Sequence, residues 1–136
     1  MADKSLRREK STATSRLLLV VEDEFLLHLA IEDELNDAGY ESVLVTNRDR
    51  AIEELERRAA EFGDVITDIR LGDGPSGWQA AHRARELAPT VPIVYMSGDS
   101  AKEWAANGVP KSVMLSKPFA MVTAVSQLVT AAAFDL

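Results

Sequence analysis

The sequence predicts a doubly wound α/β domain: a five-stranded parallel sheet with helices on both faces. Two observations carry this. Five short, β-branched-rich runs alternate with amphipathic stretches that have helical spacing. The runs are continuously apolar rather than alternating, as expected of strands covered on both faces. Strict alternation of this kind connects parallel neighbours through right-handed crossovers.

The strands are expected at "LLLVV" (17–21), "SVLVT" (42–46), "DVITDI" (64–69), "PIVYMS" (92–97) and "SVMLS" (112–116). In the first helix Leu27, Ile31, Leu35 and Ala38 recur every three or four residues, and Gly39 supplies the stop. In the second, Asn47 can cap, and Ile52, Leu55, Ala59 and Phe62 form the expected buried stripe. Glu53 with Arg57, and Glu54 with Arg58, have i,i+4 spacing on its wet side. A third helix is expected from about Gly77 to Leu87, halting before Pro89, and a short fourth from about Ala101 to Asn107. The last runs from about Phe119 to Phe134.

Composition narrows the function classes. With 136 residues, 46% of them hydrophobic, the chain is one domain with enough apolar side chains for a core. The absence of cysteine excludes disulfides, Cys-ligated zinc and thiol catalysis. No apolar run approaches a membrane span, and no signal-peptide h-region is present in the sequence. A net charge of −7 argues against nucleic acid as a partner. The charge is uneven: residues 1–16 carry a net +3, which leaves −10 for residues 17–136. The first segment has little to bury and is expected to be a flexible basic leader. Residues 17–136 form the folded domain.

In open parallel sheets, ligands bind beyond the carboxyl ends of the strands. Glu22 and Asp23 follow the first strand, Asp68 lies near the end of the third, Ser97 ends the fourth and Lys117 follows the fifth. Four strands therefore deliver polar groups to one edge. Carboxylates within about 4 Å repel by roughly 4 kcal/mol per pair at an effective dielectric near 20. A hard divalent cation with oxygen ligands, such as Mg²⁺, relieves that repulsion. A carboxylate can then act as nucleophile, a lysine as a point charge and a serine hydroxyl as a donor, which are the parts of a phosphoryl-transfer site. Taken singly, each group has a plainer reading: Glu22 and Asp23 as helix caps, Asp68 as a strand-end acid, Lys117 as a surface lysine. His28 and His82 lack metal-ligand spacing and read as structural or solvent-facing. "LGDGPSG" (71–77) lacks the Gly-Lys-Ser/Thr ending of a phosphate-binding loop and reads as the flexible loop after Asp68. Trp78 is expected near the site.

With "VVEDE", "DVITDIRL", "VYMSGDS" and "SKPF" in this order, the chain from Leu17 to Phe134 resembles the CheY-like receiver domains of two-component response regulators. The separations fit that family: 45 residues from Asp23 to Asp68, 29 more to Ser97 and 20 more to Lys117. The resemblance implies that Asp68 is the phosphoacceptor. It implies that Asp23 ligates Mg²⁺, with Glu22 helping through water and the Arg70 backbone carbonyl completing the set. Ser97 and Lys117 take the roles that contact the phosphoryl group. Three residues before Lys117, where many members carry a switching aromatic, this chain has Met114. Arg70 and Asp99 flank the expected phosphoryl position with opposite charges.

The expected function is thus that of a cytoplasmic, stand-alone receiver rather than an enzyme. Its donor would be a sensor histidine kinase or histidine phosphotransfer protein, and its output contact with an unknown downstream protein. The alternatives are an Asp-dependent phosphohydrolase and a pseudo-receiver that is never phosphorylated. Pro118 to Phe134 contains no charged residue, so the last helix is the expected surface for output or homodimer contact.

Overall fold

The computed structural model describes residues 17–72, 76–98 and 104–116. The elements run β1 (Leu17–Val21), α1 (Phe25–Asp37), β2 (Glu41–Val45), α2 (Arg48–Arg58), a 3₁₀ turn (Ala59–Glu61), β3 (Phe62–Asp68), α3 (Gly77–Leu87), β4 (Ile93–Ser97), α4 (Trp104–Asn107) and β5 (Val113–Ser116). The leader 1–16, Asp99, Lys117 and the expected last helix lie outside the described residues.

The strands form one sheet in the order β2-β1-β3-β4-β5, every neighbouring pair parallel. Side chains alternate across it, so each strand feeds two cores. Leu19, Val21, Val65, Ile93 and Tyr95 face α2 and α3, where Leu55, Trp78, Ala80 and Ala84 complete one cluster. Leu18, Val20, Ile66, Val94 and Met96 pack with Ile31 and Leu35 of α1 on the other side. The continuous apolar runs are thereby explained: both faces of β1, β3 and β4 are covered.

Two expected stripes shift in detail. Ile31 and Leu35 are buried in α1, whereas Ala38, its C-cap, is exposed. In α2 the buried residues are Ala51 and Leu55, with Ile52 half-buried. Phe62 is not helical at all: the 3₁₀ turn ends α2 and Phe62 opens β3, where it still enters the same core. Its apolar side chain matched the helical period by coincidence. Arg58 does pair with Glu54 at 2.8 Å, but Arg57 also turns to Glu54 and Glu53 is held by Arg50 instead.

Candidate functional site

β1 lies between β2 and β3, and the connections leaving β1 and β3 run to opposite faces of the sheet, which opens a crevice at the β1/β3 carboxyl ends. Glu22 continues β1 by one residue, its amide donating to the Val45 carbonyl at 3.0 Å. Its side chain is fully buried, and Oε2 accepts from the Glu24 amide at 2.9 Å. Glu24 is the N-cap of α1 but makes no side-chain capping bond. The helix-capping reading of Glu22 is thus partly correct, since one of its oxygens binds the N-cap amide. Asp23 is exposed, and its Oδ2 accepts from the Gly72 amide at 3.0 Å. That bond joins the end of β1 to the loop after β3 across 49 residues of sequence.

Asp68 ends β3 at 6% exposure and lies beside Met96 of β4 in register. The backbone around it is held firmly. Ile69 donates to the Met96 carbonyl at 3.0 Å, and Thr67 Oγ1 donates to Asp68's own carbonyl at 3.0 Å. Gly77, the first residue of α3, donates to the Ile69 carbonyl at 2.8 Å. A Cβ on Gly77 would stand 1.9 Å from the Asp68 carbonyl oxygen, so no other residue fits there without moving α3. Ser97 is buried at the end of β4, in register with Ser116, the residue before Lys117.

The three acids meet. One carboxylate oxygen each from Glu22, Asp23 and Asp68 lie within 4.8 Å of one another. Beside them opens a cleft of about 450 Å³ lined by Asp23, Glu24, Asp68, Arg70, Gly72, Ser97 and Gly98. Glu22, Asp23, Asp68, Arg70 and Ser97 are therefore brought to one edge. The oxygen set suits a hard cation, and the cleft leaves a face open beside it.

Two contributors escape a reading by residue type: the Gly72 amide that fixes Asp23, and Gly77 against Asp68. Both belong to the glycine-rich stretch read simply as a flexible loop, and its glycines are the only signal the sequence offers. Trp78 is buried behind the site, against Tyr95, and does not line the cleft. His82 is exposed, its Nε2 bonded with the Asn107 carbonyl at 2.9 Å, whereas His28 Nε2 is buried without a hydrogen-bond partner among the described residues.

The response regulator receiver domain model matches residues 18–129. The chain belongs to the response regulator receiver family. A response regulator receiver protein from Sinorhizobium medicae WSM419 is 42% identical, covering 88% of this chain and 95% of that one, with a TM-score of 0.81. The receiver domain of a sensor histidine kinase from Pseudomonas aeruginosa PAO1, solved with magnesium in its active-site cleft, has the same fold. It is 24% identical over 86% of this chain and 99% of that one, with a TM-score of 0.70. The autoinducer 1 sensor kinase/phosphatase LuxN of Vibrio campbellii is 27% identical over 65% of this chain. The matched segment spans a tenth of that relative's length. This receiver thus shows the CheY-like fold of two-component signalling, with an acidic cluster typical of the family's Mg²⁺ site. Among the described residues, no helix is long and apolar enough to cross a membrane.

Proposed function

We propose that this receiver accepts a phosphoryl group on Asp68, with Mg²⁺ held by Glu22, Asp23, Asp68 and the Arg70 backbone carbonyl. The observation that carries the reading is the acidic triad at the mouth of an open cleft. Such a cluster is self-repelling unless a cation or a proton intervenes. The magnesium in the Pseudomonas receiver of the same fold supports a cation. When bound, Mg²⁺ supplies charge neutralisation for the phosphoryl oxygens.

Asp68 supplies the nucleophile. One carboxylate oxygen bonds to phosphorus as the bond from phosphorus to the donor breaks, and the donor departs with that electron pair. The Gly77, Thr67 and Met96 contacts hold the Asp68 backbone still during this exchange. Ser97 donates a hydrogen bond to the incoming phosphoryl group and Lys117 contributes a positive charge. The donor is a sensor histidine kinase or histidine phosphotransfer protein, and output is by contact with a downstream protein. Phe25, Leu26 and Leu29 support a protein donor. They are 70%, 79% and 43% exposed, on the helix that starts one residue after Glu24 of the cleft.

Acetyl phosphate with Mg²⁺, followed by intact mass, tests the assignment. The parent is expected to gain one phosphoryl group, Asp23→Ala to lose the Mg²⁺ dependence, and Asp68→Asn to gain none. Uptake by Asp68→Asn at the parental rate would overturn it. Phosphate release without an accumulating adduct would indicate a phosphohydrolase, and no reaction at all a pseudo-receiver.

A further inference from the structure

Met114 stands on β5, and parallel register sets Tyr95 of β4 directly beside it. Register partners share a face of the sheet, and both side chains belong to the core beneath α2 and α3. A ring is therefore present at this level of the core, supplied by the neighbouring strand.

Tyr95 is fully buried, and its hydroxyl oxygen accepts from the Val109 amide at 3.1 Å. Val109 is also buried, so this amide has no ready replacement from solvent. Burial pushes the Tyr95 phenol up, against the pull of the Val109 N–H and Arg85, which keeps it protonated at neutral pH.

On one side the ring reaches the phosphoryl edge. Ser97 lies two residues on, on the same face of β4, and lines the cleft. Trp78 packs edge-on to the Tyr95 ring, centroids 4.8 Å apart and planes at 63°, and it follows Gly77, which abuts the Asp68 carbonyl. On the other side the phenol reaches the segment 104–112. There Trp104 Nε1 donates to Ser112 Oγ at 2.9 Å, and Ser112 Oγ donates to the Val109 carbonyl at 2.6 Å. Tyr95 and Ser112, the latter held by Trp104, thus bind the two backbone polar groups of one residue, Val109.

We propose that Tyr95 couples the state of the Asp68–Ser97 edge to the segment 104–112, through its hydroxyl on the Val109 amide. The coupling rests on the receiver reading and extends it to the route of the output. Phosphorylation draws on Ser97 and shifts the end of β4. Tyr95 moves with that strand, and the Val109 bond changes with it. The segment holding Trp104 is the element that responds.

The test uses the full chain in a Trp78→Phe background, so that Trp104 is the sole tryptophan. Acetyl phosphate with Mg²⁺ is the probe, and intact mass gives the phosphoryl occupancy. Trp104 emission is expected to shift on phosphorylation, and Tyr95→Phe, which removes only the hydroxyl, to lose that shift at equal occupancy. A full shift in Tyr95→Phe, or none in the Trp78→Phe parent at full occupancy, overturns the coupling and leaves the receiver assignment intact. Absence of any adduct overturns both. Should Tyr95→Phe fail to fold, amide exchange decides the matter in the native chain. Protection at Val109 must change with phosphorylation, and equal protection in both states sinks the proposal.

Discussion

Helices α1 and α2 flank β2 in sequence, yet they are built on opposite rules. α2 begins with Asn47, whose side chain accepts from the Arg50 amide at 2.8 Å, has Asp49 in its first turn and ends with Arg57 and Arg58. Its last-turn arginines match the negative end of the helix macrodipole, while at its start Asp49 is set between Arg48 and Arg50. Its outer surface is occupied: Arg50, Arg57 and Arg58 pair with acids on the helix, and Glu56 meets Arg83 of α3 at 3.0 Å. α1 has none of this. From Leu17 to Asn47 there are eight acids and no lysine or arginine. α1 has no side-chain cap bond, no basic residue in its last turn, and Glu34 and Asp37 where the dipole disfavours negative charge. Glu32, Asp33, Glu34 and Asp37 make no ion pair among the described residues, and Phe25 and Leu26 face solvent. The helix that satisfies itself lies behind the sheet. The one that leaves its surface unsatisfied starts at the cleft, where the proposed protein donor would meet it.

This contrast can be broken most forcefully at the two faces of α1. Leu35 is fully buried, and Leu35→Ala is expected to cost about 2–5 kcal/mol in urea unfolding. Leu26→Ala, at a residue 79% exposed, should stay within about 0.5 kcal/mol. The outer residue should matter elsewhere. Leu26→Asp is expected to slow phosphoryl transfer from a phosphorylated histidine phosphotransfer protein while leaving labelling by acetyl phosphate unchanged. Equal slowing with both donors would show that the substitution disturbs the cleft itself, and the contact role of α1 would fall.

In α2 the sharpest local device is the cap. Asn47→Ala removes the acceptor for the Arg50 amide and should cost about 1 kcal/mol. A loss far below that would mean that tertiary packing through Ala51 and Leu55, not local chemistry, holds the start of α2.

The same contrast marks what the sequence could disclose. Asn47, the five strands and the bounds of α3 were legible because they depend on neighbours in sequence: a capping residue, a run of β-branched side chains, a proline beyond the end. Phe62 was misread because strand and helix both accept an apolar residue at that spacing, and only tertiary packing decided between them. At the site, Glu22, Asp23, Asp68 and Ser97 were legible as polar residues at strand ends. That Glu22 is buried while Asp23 is exposed was not, nor was the bond from Asp23 to the Gly72 amide. Those depend on how α1 and the β3 loop settle across the edge. The tie from Tyr95 to Val109 joins a side chain to a backbone amide 14 residues away, and no residue pattern announces it.

The smallest effect tests whether the acids of α1 are a local cost. Asp37 is exposed at the last residue of the helix, four residues after Asp33, so it meets both the negative end of the dipole and a like charge. Asp37→Lys reverses both terms and should raise stability by about 0.3–1 kcal/mol at low ionic strength. The gain should shrink as salt rises, because exposed charges are screened over about 10 Å at 0.1 M. Urea midpoints at low and high salt measure this directly. A gain that persists in high salt would have to come from helix propensity rather than charge. No gain at low salt would mean that the acids of α1 cost the fold nothing, and their one-sided charge could no longer be read as stability given up at the surface beside the cleft.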